Sequence, residues 1–337
     1  MSPAPQLLLV VGVGRSGTSA FSGSVAALGY SVPQPEVRAD ETNPRGFGEP
    51  RWVVDFHAAL LEGAQVTPWD ARSYAWRHTR SAGEQPEVVA KLRAWLTTQF
   101  ERHDRIVVKD PRTAWFLRLW DQVSRELGVD TSYVTLLRSP AEAVMSAGRW
   151  YQGPSRPTTR ACGWMNVQLR TERQTRDSKR AFIRYTDLLT DWRSVLSGLN
   201  AKLDLGLDLR NQAAIEQVDA WLDPGLRREQ TTLADLELPA AVRTLVERVW
   251  HEFDSAVDRD DRALQLRLDE LRVDYRRLYR DSEQITHSSI VAARWKASLK
   301  AGGGAPSPQD DENESPGSGS PEQVDTAARP TTVPTPS

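Results

Sequence analysis

LLLVVGVGRSGTS, residues 7–19, is the stretch from which the rest of the chain is read. Residues 7–11 are five consecutive apolar side chains, the pattern of a strand buried on both faces of a parallel sheet. The run breaks at three spaced glycines, Gly12, Gly14 and Gly17, and residues 18–29 read as a helix that stops at Gly29. A strand, a glycine turn and a helix N-terminus together form an anion site. The first backbone N–H groups of the helix point outward, the helix dipole favours negative charge, and glycines allow a phosphate to approach the backbone closely.

Three ligand readings fit this turn. As GxxxxGK[ST], Gly12 and Gly17 are in place, but Thr18 stands where the lysine of an NTPase belongs. As GxGxxG, the three glycines fit a dinucleotide fingerprint, and Glu36 lies about 20 residues further on. The segment before Glu36 is SVPQP, a poor central strand because its prolines cannot donate ladder hydrogen bonds. The third reading takes Arg15, Ser16, Gly17, Thr18 and Ser19 as one unit, a cation within the loop followed by hydroxyls at the helix start. The strand–turn–helix context argues against a glycine turn that binds nothing.

The alternation continues along the chain. Residues 30–48, rich in Pro, Asp, Glu and Gly, read as a long irregular loop over the strand ends, where functional loops of α/β sheets lie. An amphipathic helix is predicted over 51–61, an irregular tryptophan-dotted segment over 64–83 and a helix over 87–101. Residues 105–108 form a short β-branched strand ending in Lys109-Asp110-Pro111-Arg112, followed by a helix over 115–127. Residues 133–137 form a third strand ending at Arg138, and the helix over 141–149 carries Ser146. A fourth strand covers 181–185 and a helix 192–203. Short apolar strands alternating with helices predict an α/β fold of three layers, a central parallel sheet with helices on both faces.

Residues 1–257 are expected to form this domain, and 258–300 a charged C-terminal helical extension. In the extension Leu264, Leu268, Leu271, Tyr275 and Leu278 alternate steps of four and three. Such a seam suits packing on the chain's own domain or pairing with a second copy as a homodimer. Residues 301–337, dominated by Gly, Pro, Ser, Thr and acidic residues, are expected to be disordered because they cannot bury a core.

Composition narrows the function classes. Over 337 residues the formal net charge is −2, which argues against nucleic-acid binding through bulk electrostatics. One cysteine, Cys162, supports neither a disulfide framework nor a thiolate metal cluster, and no metal-ligand motif is evident, so no metal is expected. No run of 18 apolar residues occurs and the N-terminal apolar run is too short for a signal peptide, so a cytoplasmic protein is expected. There are 12 tryptophans; Trp52, Trp69, Trp76, Trp115, Trp120, Trp150 and Trp164 flank the motifs, as core packing or, for a few, as lining of an acceptor cleft.

The motifs together resemble one family. The unit Arg15–Ser19 resembles the 5′-phosphosulfate loop of sulfotransferases, which use 3′-phosphoadenosine 5′-phosphosulfate (PAPS). That superfamily reads the 3′-phosphate with an Arg at a strand end and a Ser eight residues later, and Arg138 and Ser146 match the spacing. Lys109-Asp110-Pro111 is similar to a Lys-Asp-Pro of the tyrosylprotein branch, whose lysine helps to bind the sulfuryl group. A group of bacterial sulfotransferases shows Asn-Pro-(Lys/Arg)-Gly-x-x-Glu, Lys-Asp-Pro-Arg and Tyr-x-(Asp/Glu)-Leu-Leu; here these are residues 43–49, 109–112 and 185–189. The resemblance covers about residues 7–205, and more loosely the helices to about 255.

The resemblance implies roles. Gly14, Arg15, Ser16, Gly17, Thr18 and Ser19 would bind the 5′-phosphosulfate, and Arg138 and Ser146 the 3′-phosphate. Arg15 would offset charge at the bridging oxygen and Lys109 would contact the sulfuryl oxygens. Cytosolic members place a catalytic histidine two residues after a strand-end lysine, but here that position is Pro111. Tyrosylprotein sulfotransferases use a glutamate in a Gly-Glu context, which Gly48-Glu49 resembles; Glu49 is the expected base, with Glu36, Asp110 and His57 behind it. The expected activity is metal-independent, in-line sulfuryl transfer from PAPS to a hydroxyl of a carbohydrate, glycolipid or small metabolite. The alternatives are a nucleotide-binding P-loop kinase or NTPase, and a non-catalytic PAPS- or nucleotide-binding scaffold.

Overall fold

The computed structural model describes residues 4–300 apart from 42, 44, 151–154, 224 and 226–230. In chain order the elements are β1 (Gln6–Val11), α1 (Thr18–Ala27), α2 (Arg51–Gly63), α3 (Ala75–Gly83), α4 (Pro86–Phe100) and β2 (Arg105–Lys109). After a 3-10 turn at Pro111–Trp115 come α5 (Leu117–Glu126), β3 (Asp130–Leu137), α6 (Pro140–Trp150), α7 (Pro157–Gln174) and β4 (Lys179–Arg184). The chain continues through α8 (Tyr185–Thr190), α9 (Trp192–Leu203), α10 (Gln212–Trp221), α11 (Ala240–Ala256) and α12 (Arg262–Lys300).

The four strands form one parallel sheet in the order β2-β1-β3-β4. Val10 lies opposite Lys109 on one side and Val134 on the other, and Leu137 lies opposite Arg184. All four strands therefore end at the same sheet edge. The connection from β1 runs to β2 on one side, and the chain then crosses to β3 on the other. The crevice at the ends of β1 and β3 is thus the topological switch point, where open α/β sheets bind ligands.

Alternation along the strands builds a core on each face. Leu7, Leu9, Val11, Ile106, Val108 and Phe182 pack with residues of α2, α4, α5, α7, α11 and α12. Leu8, Val10, Val107, Val134, Leu136 and Ile183 pack with residues of α1 and α8–α10. Leu7 to Val11 are each at most 1 % exposed, so truncating any of the leucines is expected to cost about 2–5 kcal/mol. The molecule is therefore the three-layer α/β fold expected, with a C-terminal helix.

Two segments differ from the sequence-based expectation. Within the span 64–83, read as irregular, α3 forms; its buried face is Ala75, Thr79 and Gly83. That i, i+4, i+8 stripe is made of small residues, so it gives no hydrophobic period to read. Residues 150–180, for which the sequence pattern predicts no element, contain the 18-residue helix α7. Its buried residues include Asn166, Gln168, Thr171 and Glu172, and these polar side chains break the apolar pattern. At Gly163 a Cβ would stand 2.2 Å from the Trp69 carbonyl oxygen, so this helix passes directly over the chain at Trp69.

The seam on α12 packs within the chain. Leu264, Leu268, Leu271 and Tyr275 are buried in the first of the two cores, with Leu278 against it, and the Tyr275 hydroxyl donates to the Ala71 carbonyl. These side chains therefore present no free face for a second copy. The chain divides into a compact unit, Met1–Arg280, and a second, Asp281–Ser337; the first part of α12 belongs to the former. In the second unit α12 exposes Ile285, Trp295 and Leu299. The segment 301–337, expected to be disordered, lies outside the described residues.

Candidate active site

The turn after β1 is shaped by left-handed backbone. Gly12 has φ +100°, Arg15 +68° and Gly17 +86°, the last immediately before α1. Gly17 has a second reason to lack a side chain: a Cβ there would sit 2.0 Å from Cδ2 of Tyr185. With Gly17 as N-cap, no side chain caps α1, so the N–H groups of its first turn are left for an anion. Ser16 is fully buried beneath the turn and its Oγ has no hydrogen-bond partner. Gly17→Ala is expected to cost at least about 1–3 kcal/mol from backbone strain alone, with the ring clash added. Thermal unfolding of the variant beside the wild type measures it; an unchanged midpoint would mean that the turn tolerates a side chain.

Arg138 leaves β3 at the switch point and is 8 % exposed. Its Nη1 donates to the Arg15 carbonyl at 3.1 Å, and its Nε to Oε2 of Glu142, one turn along α6, at 2.8 Å. The guanidinium carbon lies 5.3 Å from the centroid of the Tyr185 ring. Ser146, two turns into α6, accepts from Nε of Arg15 at 3.1 Å. The loop arginine and the α6 serine, 131 residues apart, are thus in direct contact.

Lys109 ends β2 and is 3 % exposed. Its Nζ donates to Oε1 of Glu49 at 2.5 Å and to Oγ of Ser19 at 3.2 Å. Ser19 also accepts from Nδ2 of Asn43 at 3.1 Å. Three motifs from separate parts of the chain therefore meet at the head of α1: the glycine turn, the 43–49 segment and the end of β2.

Asp110 and His57 are placed differently. Both are fully buried, and neither faces the cleft at the sheet edge. Oδ2 of Asp110 lies 2.7 Å from Nδ1 of His57; Oδ1 accepts from the Arg112 backbone N–H at 3.1 Å and from its Nη1 at 2.8 Å. Nε1 of Trp120 donates to Nε2 of His57 at 3.0 Å. Because an indole only donates, Nε2 is the acceptor and Nδ1 carries the proton given to Asp110. Burial raises the Asp110 pKa, but the His57 hydrogen bond and the Arg112 charge outweigh it, and the carboxyl titrates below its ordinary value. Every oxygen of Asp110 and every nitrogen of His57 is engaged, so neither is free to take a substrate proton. Glu36 is half-exposed, accepts from Gln34 at 2.6 Å, and does not line the cleft either.

The cleft holds about 1290 Å³ and is lined by Gly14, Arg15, Gly17, Thr18, Ser19, Glu49, Lys109, Arg138 and Ser146. The remaining predicted residue, Ser16, lies under it. Single ligand sites occupy roughly 300–1,000 Å³, so this volume accommodates a nucleotide and a second molecule. Of the tryptophans flanking the motifs, Trp69 and Trp150 line the cleft, whereas Trp115, Trp120 and Trp164 are core. Sequence reasoning missed the contributions of Tyr185, Arg45 and Trp221. Tyr185 follows the end of β4, the same strand-end position that Arg138 takes on β3, and that was the available signal. Arg45 donates to the Trp221 carbonyl and pairs with Asp223 at 3.5 Å, contacts 176 and 178 residues away that leave no local trace.

Among the described residues no group of three or more His, Cys, Asp or Glu is placed to hold a metal ion, and no helix is long and apolar enough to cross a membrane. No family model and no curated protein matches the sequence. Several solved structures are similar to it, three of them as follows. The sulfotransferase domain of the Synechococcus PCC 7002 olefin synthase is 20% identical with a TM-score of 0.42, over 75% of this chain and 98% of that one. The sulfotransferase domain from the curacin biosynthetic pathway is 14% identical with a TM-score of 0.44, over 75% and 99%. Sulfotransferase STF1 from Mycobacterium tuberculosis H37Rv is 15% identical with a TM-score of 0.39, over 74% and 77%.

Proposed function

We propose that this protein transfers a sulfuryl group from PAPS to a hydroxyl of a carbohydrate, glycolipid or small-metabolite acceptor. The observation that carries the reading is the convergence of Arg15, Lys109, Arg138 and Ser146 on one cleft at the switch point, through the contacts above. A donor with phosphates at both ends of a nucleoside needs two anion sites. The uncapped head of α1 supports one and the Arg138–Ser146 pair the other. PAPS, when bound, supplies a sulfuryl group already activated as a phosphosulfate anhydride.

The chain's own residues then have these tasks. Backbone N–H groups of residues 16–19 bind the 5′-terminal oxygens, and the Arg138 fork with the Ser146 hydroxyl binds the 3′-phosphate. Arg15 stands between the two sites, its Nε on Ser146, and places a cation where the leaving phosphate gains charge. Nζ of Lys109 orients sulfuryl oxygens. Glu49, beside it, takes the acceptor's hydroxyl proton; Oε1 is held by Lys109, and Oε2 makes no hydrogen bond among the described residues.

The test is calorimetric titration with 3′-phosphoadenosine 5′-phosphate, ATP and NAD. Binding of the first alone, tight and in one site, is expected; preference for ATP or NAD would overturn the reading. Ser146→Ala is expected to weaken the 3′-phosphorylated nucleotide about tenfold, the worth of one hydrogen bond to a charged group, and to change 5′-AMP less than threefold. Equal losses for the two ligands would remove Ser146 from the 3′-phosphate site.

A further inference from the structure

A second concave site lies between α3, α5 and α7, and it shares no lining residue with the cleft. It is a pocket of about 40 Å³, room for a few water molecules, lined by Trp76, Arg80, Glu84, Arg118, Arg170 and Gln174 among others. The guanidinium of Arg170 lies over the Trp76 indole, 4.2 Å from its centroid. With its amide turned to present oxygen, Gln174 accepts from Nη2 of Arg170 at 2.7 Å and from Nε at 3.3 Å. One edge of the guanidinium is thereby fixed by a neutral group, and the plane is held by the ring.

The charges that act most strongly on Arg170 are of its own sign. Arg118, Arg173, Arg272 and Arg276 bear on it, and burial together with these cations pushes its pKa down to about 9. Among the described residues Arg118, Arg170 and Arg173 form no ion pair with a carboxylate. The nearby acids are already engaged: Asp269 is shared by Arg176 at 2.7 Å and Arg272 at 3.0 Å, and Glu172 by Arg176 and Arg180. Arg80 on the rim pairs with Glu84 at 2.7 Å. Nε of Arg272 is buried and has no hydrogen-bond partner. Native proteins bury a cation with a counter-charge, because an unpaired one loses its hydration without return. Here the protein supplies the cations, the rigid ring support and the concavity; the one acid in the lining, Glu84, is taken by Arg80, and none pairs with Arg118 or Arg170 among the described residues.

We propose that this pocket is an oxyanion site, distinct from the cleft, that binds a phosphate or sulfate group through Arg170 and Arg118. Planar guanidinium forks match tetrahedral oxyanions bidentately, and Arg118 and Arg170, which line the same small pocket, together suit a doubly charged oxyanion better than a single carboxylate. The indole excludes water from one face of Arg170, which strengthens the charge interaction on the open edge. The same chemistry serves a free inorganic anion and a phosphate or sulfate group carried on a larger molecule.

The experiment is titration of the full chain with inorganic phosphate, inorganic sulfate and glucose 6-phosphate, by calorimetry and by thermal shift, with the cleft saturated with 3′-phosphoadenosine 5′-phosphate. Saturable binding with an upward shift of the unfolding midpoint is expected. Arg170→Met, which keeps an apolar stem on Trp76, and Arg118→Ala, at an exposed position, are each expected to weaken it at least tenfold. Arg138→Ala, which alters the cleft, is expected to leave it in place, so the outcome does not depend on what the cleft binds. Glucose 6-phosphate binding as well as inorganic phosphate identifies a group borne by a larger molecule; binding of the inorganic ions alone identifies a free anion. No saturable binding in the wild type, or binding in Arg118→Ala and Arg170→Met as tight as in the wild type, would overturn the proposal. Arg118→Ala keeps the test open if Arg170→Met does not fold.

Discussion

Glu49→Gln is expected to slow sulfuryl transfer about 10²–10⁴-fold, the usual contribution of a positioned general base. Glutamine keeps the shape of glutamate and a carbonyl oxygen for Lys109, but it has no carboxylate to receive the acceptor's proton. Binding of 3′-phosphoadenosine 5′-phosphate should change little, because Glu49 meets the nucleotide site only through Lys109, which also holds Ser19. Turnover of labelled PAPS with an acceptor library measures the first effect, and calorimetry the second. A variant that binds and turns over like the wild type would remove Glu49 from the chemistry. A wild type that binds normally and turns over no acceptor would leave the scaffold alternative standing.

Asp110→Ala is expected to cost about 3–5 kcal/mol of stability, the penalty for breaking a buried charged contact from one side. The substitution strands the buried Nδ1–H of His57, removes the counter-charge of Arg112 and uncaps the turn at Pro111–Trp115, whose Arg112 N–H the Asp110 carboxylate receives. At about 2–4 °C per kcal/mol for a domain of this size, the unfolding midpoint should fall by roughly 10 °C. The effect depends on pH with a defined sign. The folded-state pKa of Asp110 lies below its unfolded value. Its contribution is therefore complete above the unfolded carboxylate pKa, about 4, and is lost as pH falls through the folded one. The gap between wild type and variant, measured by thermal unfolding from pH 7 to pH 3, should stay constant to about pH 4 and close below it. A gap that widened in acid would mean that the aspartate is protonated in the fold.

These two acids show where sequence reasoning stopped. Glu49, Asp110, Glu36 and His57 were all candidate bases on residue type and neighbourhood. What separates them is which lone pairs are already occupied. Trp120 from the core and Arg112 from the cleft side close the Asp110–His57 pair, and Lys109 brings Glu49 to the cleft. Trp120 is 63 residues from His57 and Lys109 is 60 from Glu49, so no local pattern carries the information.

The amino-acid sequence by itself determined the first strand, the glycine turn, the helix after it and the alternation that makes the sheet parallel. Those features follow from covalent geometry: apolar runs, the left-handed backbone that glycine permits, and the periods of strand and helix. The spacing of Arg138 and Ser146 belongs to the same class, since one strand end and one helix fix both. Helix α3 was hidden because its buried stripe is Ala, Thr and Gly, and α7 because it buries polar side chains. The seam at Leu264, Leu268, Leu271 and Tyr275 has the same period whether it meets its own core or another copy, and only the tertiary structure decided for the core. Periodicity is a property of the segment, whereas burial, ion pairing and the occupancy of a lone pair belong to neighbours that the fold brings from elsewhere in the chain.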